Sequence, residues 1–178
     1  MLCCGAIAVP MVLAGTILAA CACVFPVLRK STSGTESYQT LWAFSNVTGD
    51  TVSTSEVSDS SCWEYRTYFM GCESAAILSG ALGLAMLVII IIQIITKGVL
   101  CFLKCISSIL VLLAVIASGA CVGLIILGYL KGYCQDDDAL KGQYAPFEER
   151  GYTFDFGFYA ICASCGLFLL SLIPQCCL

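Results

Sequence analysis

Fourteen cysteines and no histidine set the chemistry available to this chain of 178 residues. Without His, a Ser or Cys nucleophile lacks its commonest base, and no paired carboxylates sit at helical spacing, so catalysis is not expected. The stretch CWEYRTYFMGC, Cys62 to Cys72, has no second close cysteine pair and no imidazole, so it does not read as a zinc site. Asp136, Asp137 and Asp138 lack the ligand spacing and the glycine of a calcium loop and read as a solvated turn. No metal or other cofactor is therefore expected. What remains for the thiols is cross-linking and acylation. Cys62, Cys72 and Cys134 lie in polar surroundings and are the disulfide candidates; three pairings are possible, and the short closure of Cys62 on Cys72 is preferred.

The other cysteines follow the apolar runs. Cys3 and Cys4, Cys101 and Cys105, and Cys176 and Cys177 fall in pairs at run ends, where a fatty chain on sulfur would add apolar burial at a membrane boundary. These six are the acylation candidates. Cys21, Cys23, Cys121, Cys162 and Cys165 lie inside the runs and read as small hydrophobes.

Positioning these groups falls to four long apolar blocks. The chain is 60% hydrophobic and 11% charged, with a mean hydropathy of +0.95, against roughly 25% charged in soluble domains. Blocks at about 4–28, 74–96, 105–130 and 156–173 each approach or exceed the ~20 residues that cross ~30 Å of hydrocarbon as a helix. The expected fold is an all-α membrane protein, a single domain over 1–178 with four transmembrane helices and outer loops at 29–73 and 131–155. Ala20-Cys21-Ala22 resembles a signal-peptide cleavage site, but no positive n-region precedes it, and a retained helix is expected. Net charge of −4 and no basic patch give nucleic acid nothing to bind.

Even span number puts both termini on one side. The polar segments hold six Lys or Arg and the short link two, which by itself would place the long segments inside. The sequon Asn46-Val47-Thr48, a glycosylation candidate, and the paired cysteines on the opposite face argue the reverse. The expectation is a multi-pass plasma-membrane protein with cytoplasmic termini.

The first polar segment alternates over Tyr38–Ala43, turns at Thr48–Thr51 and returns through Val57, as a small extracellular β-ribbon would. A two-stranded ribbon is marginal alone. Leu41 and Trp42 are therefore expected to anchor it to the helix tops, and Trp42→Ala to cost more than Tyr144→Ala. Within the spans, Gly80 and Gly83, and Gly119 and Gly123, are candidates for close helix packing.

Four spans with a long first loop carrying Leu-Trp and two downstream cysteines resemble the claudin-like tetraspan superfamily. Within it, Thr40-Leu41-Trp42, then Cys62, Arg66, Phe69 and Ala75-Ala76-Ile77-Leu78-Ser79, is similar to the amastins. Tyr38 and Ala43 depart from the amastin pattern, which carries Cys and Gly there. The resemblance implies a left-handed four-helix bundle capped by an outer sheet, and work in surface interaction, adhesion or lateral assembly. An accessory subunit of a channel, transporter or other membrane complex is the alternative. The expected partners are membrane lipids and other membrane proteins or copies of the same chain, with no nucleic acid.

Overall fold

A computed structural model describes residues 2–32, 34–96 and 101–176, with residues 2–6, 101 and 175–176 as backbone alone. Four helices carry the chain: α1 (Leu2–Val24), α2 (Trp63–Ile95), α3 (Cys101–Lys131) and α4 (Phe156–Cys176). All four are long and apolar enough to cross a membrane. Their lipid-facing sides are as greasy as their cores, because hydrocarbon rather than water is the outer solvent and each helix satisfies its own backbone. Leu84, Val88, Ile116 and Leu169 are accordingly exposed.

The helices pack in a ring, α1 on α2, α2 on α3, α3 on α4 and α4 on α1. Small residues set the closest approach. Phe168, fully buried, inserts between α1 and α2: a Cβ built on Gly15 would stand 3.1 Å from its ring and one on Gly83 3.0 Å, with Thr16 Oγ1 nearer still. A Cβ built on Gly80 would make ordinary contact with Ala19 at 4.0 Å. Gly119 and Gly123 make no close helix approach within the chain, and the sequence does not specify whether they face a helix of the same molecule or of another. The buried face of α3 runs through Val111, Ala114, Ser118, Cys121 and Ile125, and the two glycines lie off it. A Cβ at Gly119 would reach only Cys165 at 4.0 Å, and one at Gly123 would meet nothing.

Helix boundaries depart from the apolar runs in two places. Helix α1 stops at Val24 rather than near 28, because Pro26 disfavours helix before it and Leu28 already opens a strand. Helix α2 starts at Trp63, eleven residues before the apolar run that was expected to begin it. Its added turns are amphipathic: Tyr65, Phe69, Cys72 and Ala76, spaced four, three and four apart, are all buried. At 33 residues and ~1.5 Å per residue the helix is about 50 Å long, so its first turns stand clear of a ~30 Å hydrocarbon layer.

A five-stranded antiparallel sheet caps one end of the ring. Strands β1 (Leu28–Thr32), β2 (Thr35–Gln39), β3 (Ala43–Thr48) and β4 (Thr51–Glu56) come from the first polar segment, and β5 (Thr153–Phe154) from the second. Their order is β4-β3-β2-β1-β5. The expected turn at 48–51 and the returning strand are present; β1, β2 and β5 had no expectation attached. Gly49 at φ +56 followed by an ordinary Asp50 gives the two-residue hairpin with glycine in its first central position. Residues 38–43 are not one strand. The chain turns back at Thr40, whose amide donates to the Ala43 carbonyl at 2.9 Å while its Oγ1 accepts from the Ala43 amide.

Candidate functional site

The sheet end is where polar chemistry gathers. Leu41 and Trp42 form the tip of the β2–β3 hairpin, which points toward the helix ring. Leu41 is fully buried in the core shared by sheet and helices. Trp42 leaves 44% of its surface exposed, but its Nε1 donates to the Cys23 carbonyl at 2.6 Å. That carbonyl belongs to the last turn of α1, where helix acceptors lack partners of their own. Trp42→Phe is expected to lower unfolding stability by about 1 kcal/mol, read from thermal melts in mild detergent followed by circular dichroism. Tyr144 is buried to 8% exposure, so the expected ranking reverses: truncating Tyr144 removes more packing within the chain than truncating Trp42.

Below the sheet, Gln39 is wholly buried and fully used. Its Oε1 accepts from Tyr65 at 2.6 Å and its Nε2 donates to the Thr40 carbonyl at 2.8 Å, joining β2 to α2. Tyr65 in turn meets the rings of Phe69, Tyr133 and Tyr144 at centroid distances of 4.8, 5.4 and 5.3 Å. Phe147 sits against Phe69, Tyr133 and Tyr152. The second polar segment is thus held by an aromatic cluster.

The disulfide corrects the preferred pairing. Cys62 is bonded to Cys134, and Cys72 is a free, buried thiol. Cys62 caps α2 and Cys72 lies almost three turns further down, ~15 Å along the axis. A bridge demands Cα atoms within ~7 Å, so folding of residues 63–72 as helix excludes the short closure. Cys134 adopts a left-handed φ of +49, and its amide donates to Glu64 Oε2 at 2.6 Å. Cys62, Glu64 and Cys134 bring their ligand-type atoms within 4.8 Å of one another. Both sulfurs are spent in the bridge and the carboxylate holds an amide, so the group offers no metal set in the oxidised protein.

Asn46 lies in mid-strand on β3, half-buried, and its Oδ1 accepts from Ser37 Oγ. On the opposite sheet face Arg29 Nη2 pairs with Glu36 Oε1 at 2.8 Å while Tyr38 donates to Glu36 Oε2. The tyrosine hydroxyl, and then the guanidinium, hold the Glu36 carboxyl below its ordinary range. The group is exposed, so the pair adds little to stability. Of the acylation candidates, Cys105 is exposed near the start of α3. Cys177 lies outside the described residues, as do the side chains of Cys3, Cys4, Cys101 and Cys176.

Between the sheet's inner face and the second polar segment opens a cleft of about 460 Å³. Gln39, Phe44 and Ser55 form its sheet wall, Ser60, Ser61 and Tyr65 the approach to α2, and Tyr144 and Arg150 the far side; Glu56 and Asp59 also line it. Ser60 Oγ and the Tyr144 hydroxyl lie 2.8 Å apart. Arg150 stacks over Phe147 at 4.3 Å and Tyr152 at 5.2 Å, and its Nη1 donates to the Gln143 carbonyl at 3.0 Å. Its Nε is buried without a hydrogen-bond partner. The ion pairs among the described residues are Arg29–Glu36 and Lys141–Asp138, and neither involves it. Burial lowers the Arg150 pKa from its ordinary value; a guanidinium stays charged regardless. No sequence signal isolates this cleft, since its walls come from residues about a hundred positions apart.

Four helices able to span a membrane, closed at one end by a sheet and with the second polar segment bonded to the start of α2, define a multi-pass membrane protein. The amastin surface glycoprotein family matches the chain over residues 6–174. The protein belongs to that family. No individual curated protein matches it.

Proposed function

We propose that the protein is a non-enzymatic surface tetraspan that works by interaction and lateral assembly through its sheet end, held outside the plasma membrane with both termini in the cytoplasm. The observation that carries this reading is the open edge of the sheet. All six residues of β4 are exposed. Because Thr48 and Thr51 flank a two-residue turn, and the Val57 amide reaches the Trp42 carbonyl at 2.9 Å, alternate residues from 51 to 57 bond back to β3. Val52, Thr54 and Glu56 therefore turn their backbone groups outward. Edge strands are ordinarily guarded by Lys, Pro or a bulge; Thr51–Glu56 holds no Lys or Pro, pairs with β3 in unbroken register and carries one acid. Such an edge suits the addition of a strand from a neighbouring chain.

Thr54→Pro tests this, because proline removes an outward N–H and leaves the β3–β4 ladder intact. Native mass determination in gentle detergent should find self-association for the wild type and its loss in Thr54→Pro, with an unchanged melting temperature. Association undiminished by the substitution would remove β4 as the assembly edge. Recovery of one unlike chain in fixed ratio would instead favour the accessory-subunit reading.

A further inference from the structure

We propose that the cleft beneath the sheet is a receptor site for a carboxylated sugar, a hexuronate, whose carboxylate is held by Arg150. The inference rests on the reading of the sheet end as an interaction surface and names what one part of it binds.

Arg150 supplies the anchor. Its guanidinium lines the cleft with the plane fixed by two aromatic rings and one carbonyl; the Nε is enclosed by protein and unpartnered, so the Nη groups are the donors left for a ligand. Among the described residues no carboxylate stands within ion-pair distance of it. A partly buried cation without an anion is costly, and a planar fork is suited to a carboxylate held through two parallel hydrogen bonds.

The remaining walls select among carboxylates. Hydroxyls of Ser60, Ser61 and Tyr144 can donate or accept, and the carboxylates of Glu56 and Asp59 only accept. A ligand rich in hydroxyl donors and bearing one negative charge satisfies all of them. An acidic peptide or a phosphorylated ligand would bring further negative charge against Glu56 and Asp59. Phe44 offers a half-buried ring face for the C–H side of a pyranose. The volume of about 460 Å³ falls in the range of small-molecule sites, roughly 300–1,000 Å³.

The test uses the full chain in mild detergent, titrated with sodium glucuronate, glucose and N-acetylglutamate, with binding followed by saturation-transfer NMR or calorimetry. Glucuronate should bind saturably, and the other two at least about tenfold more weakly, the equivalent of about 1.4 kcal/mol. Arg150→Gln should lose at least about tenfold in glucuronate affinity, and Arg150→Lys should recover only part of it, because a point charge replaces the fork. Should Arg150→Gln fail to melt cooperatively, Asp59→Asn on the exposed turn carries the test, with a weakening of glucuronate over N-acetylglutamate. Absence of saturable glucuronate binding by the folded wild type overturns the proposal, as does equal binding by a folded Arg150→Gln. N-acetylglutamate binding as tightly as glucuronate would assign the cleft to a peptide carboxylate and overturn the sugar. Sugar binding lost while self-association persists would leave the assembly reading standing, and the converse result would leave the cleft.

Discussion

Cys62→Ser or Cys134→Ser should lower the unfolding free energy by about 4 kcal/mol in the loop-closure account, because the bridge closes a span of 72 residues. The same bond ties the N-terminal end of α2 to the segment that follows α3, so the second polar segment loses its covalent attachment along with its constraint on the unfolded chain. Reductant should reproduce the loss in the wild type and add nothing to either variant. Cys72→Ser is the control. Its thiol is buried and donates to the Cys121 carbonyl at 3.8 Å, so the expected cost is about 1 kcal/mol. Equal losses at Cys62 and Cys72 in denaturant titrations would contradict the observed pairing.

Phe147→Ala should cost about 3–5 kcal/mol. The ring is 1% exposed and fills the space between Phe69, Tyr133 and Tyr152, with the Arg150 guanidinium on its face. Removing it leaves a void that the disulfide-tethered segment cannot close without releasing Arg150 and the Tyr144–Ser60 contact. Two readouts follow together: a fall in melting temperature, and new proteolytic cleavage between residues 135 and 150. Phe102→Ala, at a ring 74% exposed on the apolar flank of α3, should change stability by no more than about 0.5 kcal/mol. Comparable losses at the two positions would mean that the aromatic cluster does not hold the segment.

The four spans were legible because a bilayer imposes one demand on every crossing segment, and length plus apolar composition express it. The start of α2 was not read correctly, although Tyr65, Phe69, Cys72 and Ala76 spell out a helical stripe. Glu64, Arg66, Thr67 and Glu73 interrupt the apolar run, and a boundary drawn from apolar composition alone falls after them. That single boundary decided the disulfide, since Cys62 and Cys72 become unreachable once the intervening residues coil. Leu41 and Trp42 stood out as apolar residues in polar company, but their place at a hairpin tip depends on Thr40 breaking the alternation. Strands β1 and β2 carry Arg29, Lys30 and Glu36, and the residues that β2 buries, Ser37 and Gln39, are polar, so apolar periodicity leaves no mark there. Arg150 and its cleft depend on contacts between β2, the start of α2 and the second polar segment, and no local pattern encodes such a meeting.

The bond between Cys62 and Cys134 also makes α2, the link after it and α3 a closed covalent ring. A single cut of the main chain between residues 63 and 133 would not divide the molecule. Both pieces stay joined until the sulfurs are separated, so nicking inside this ring becomes a loss of the protein only where a reductant is also at hand.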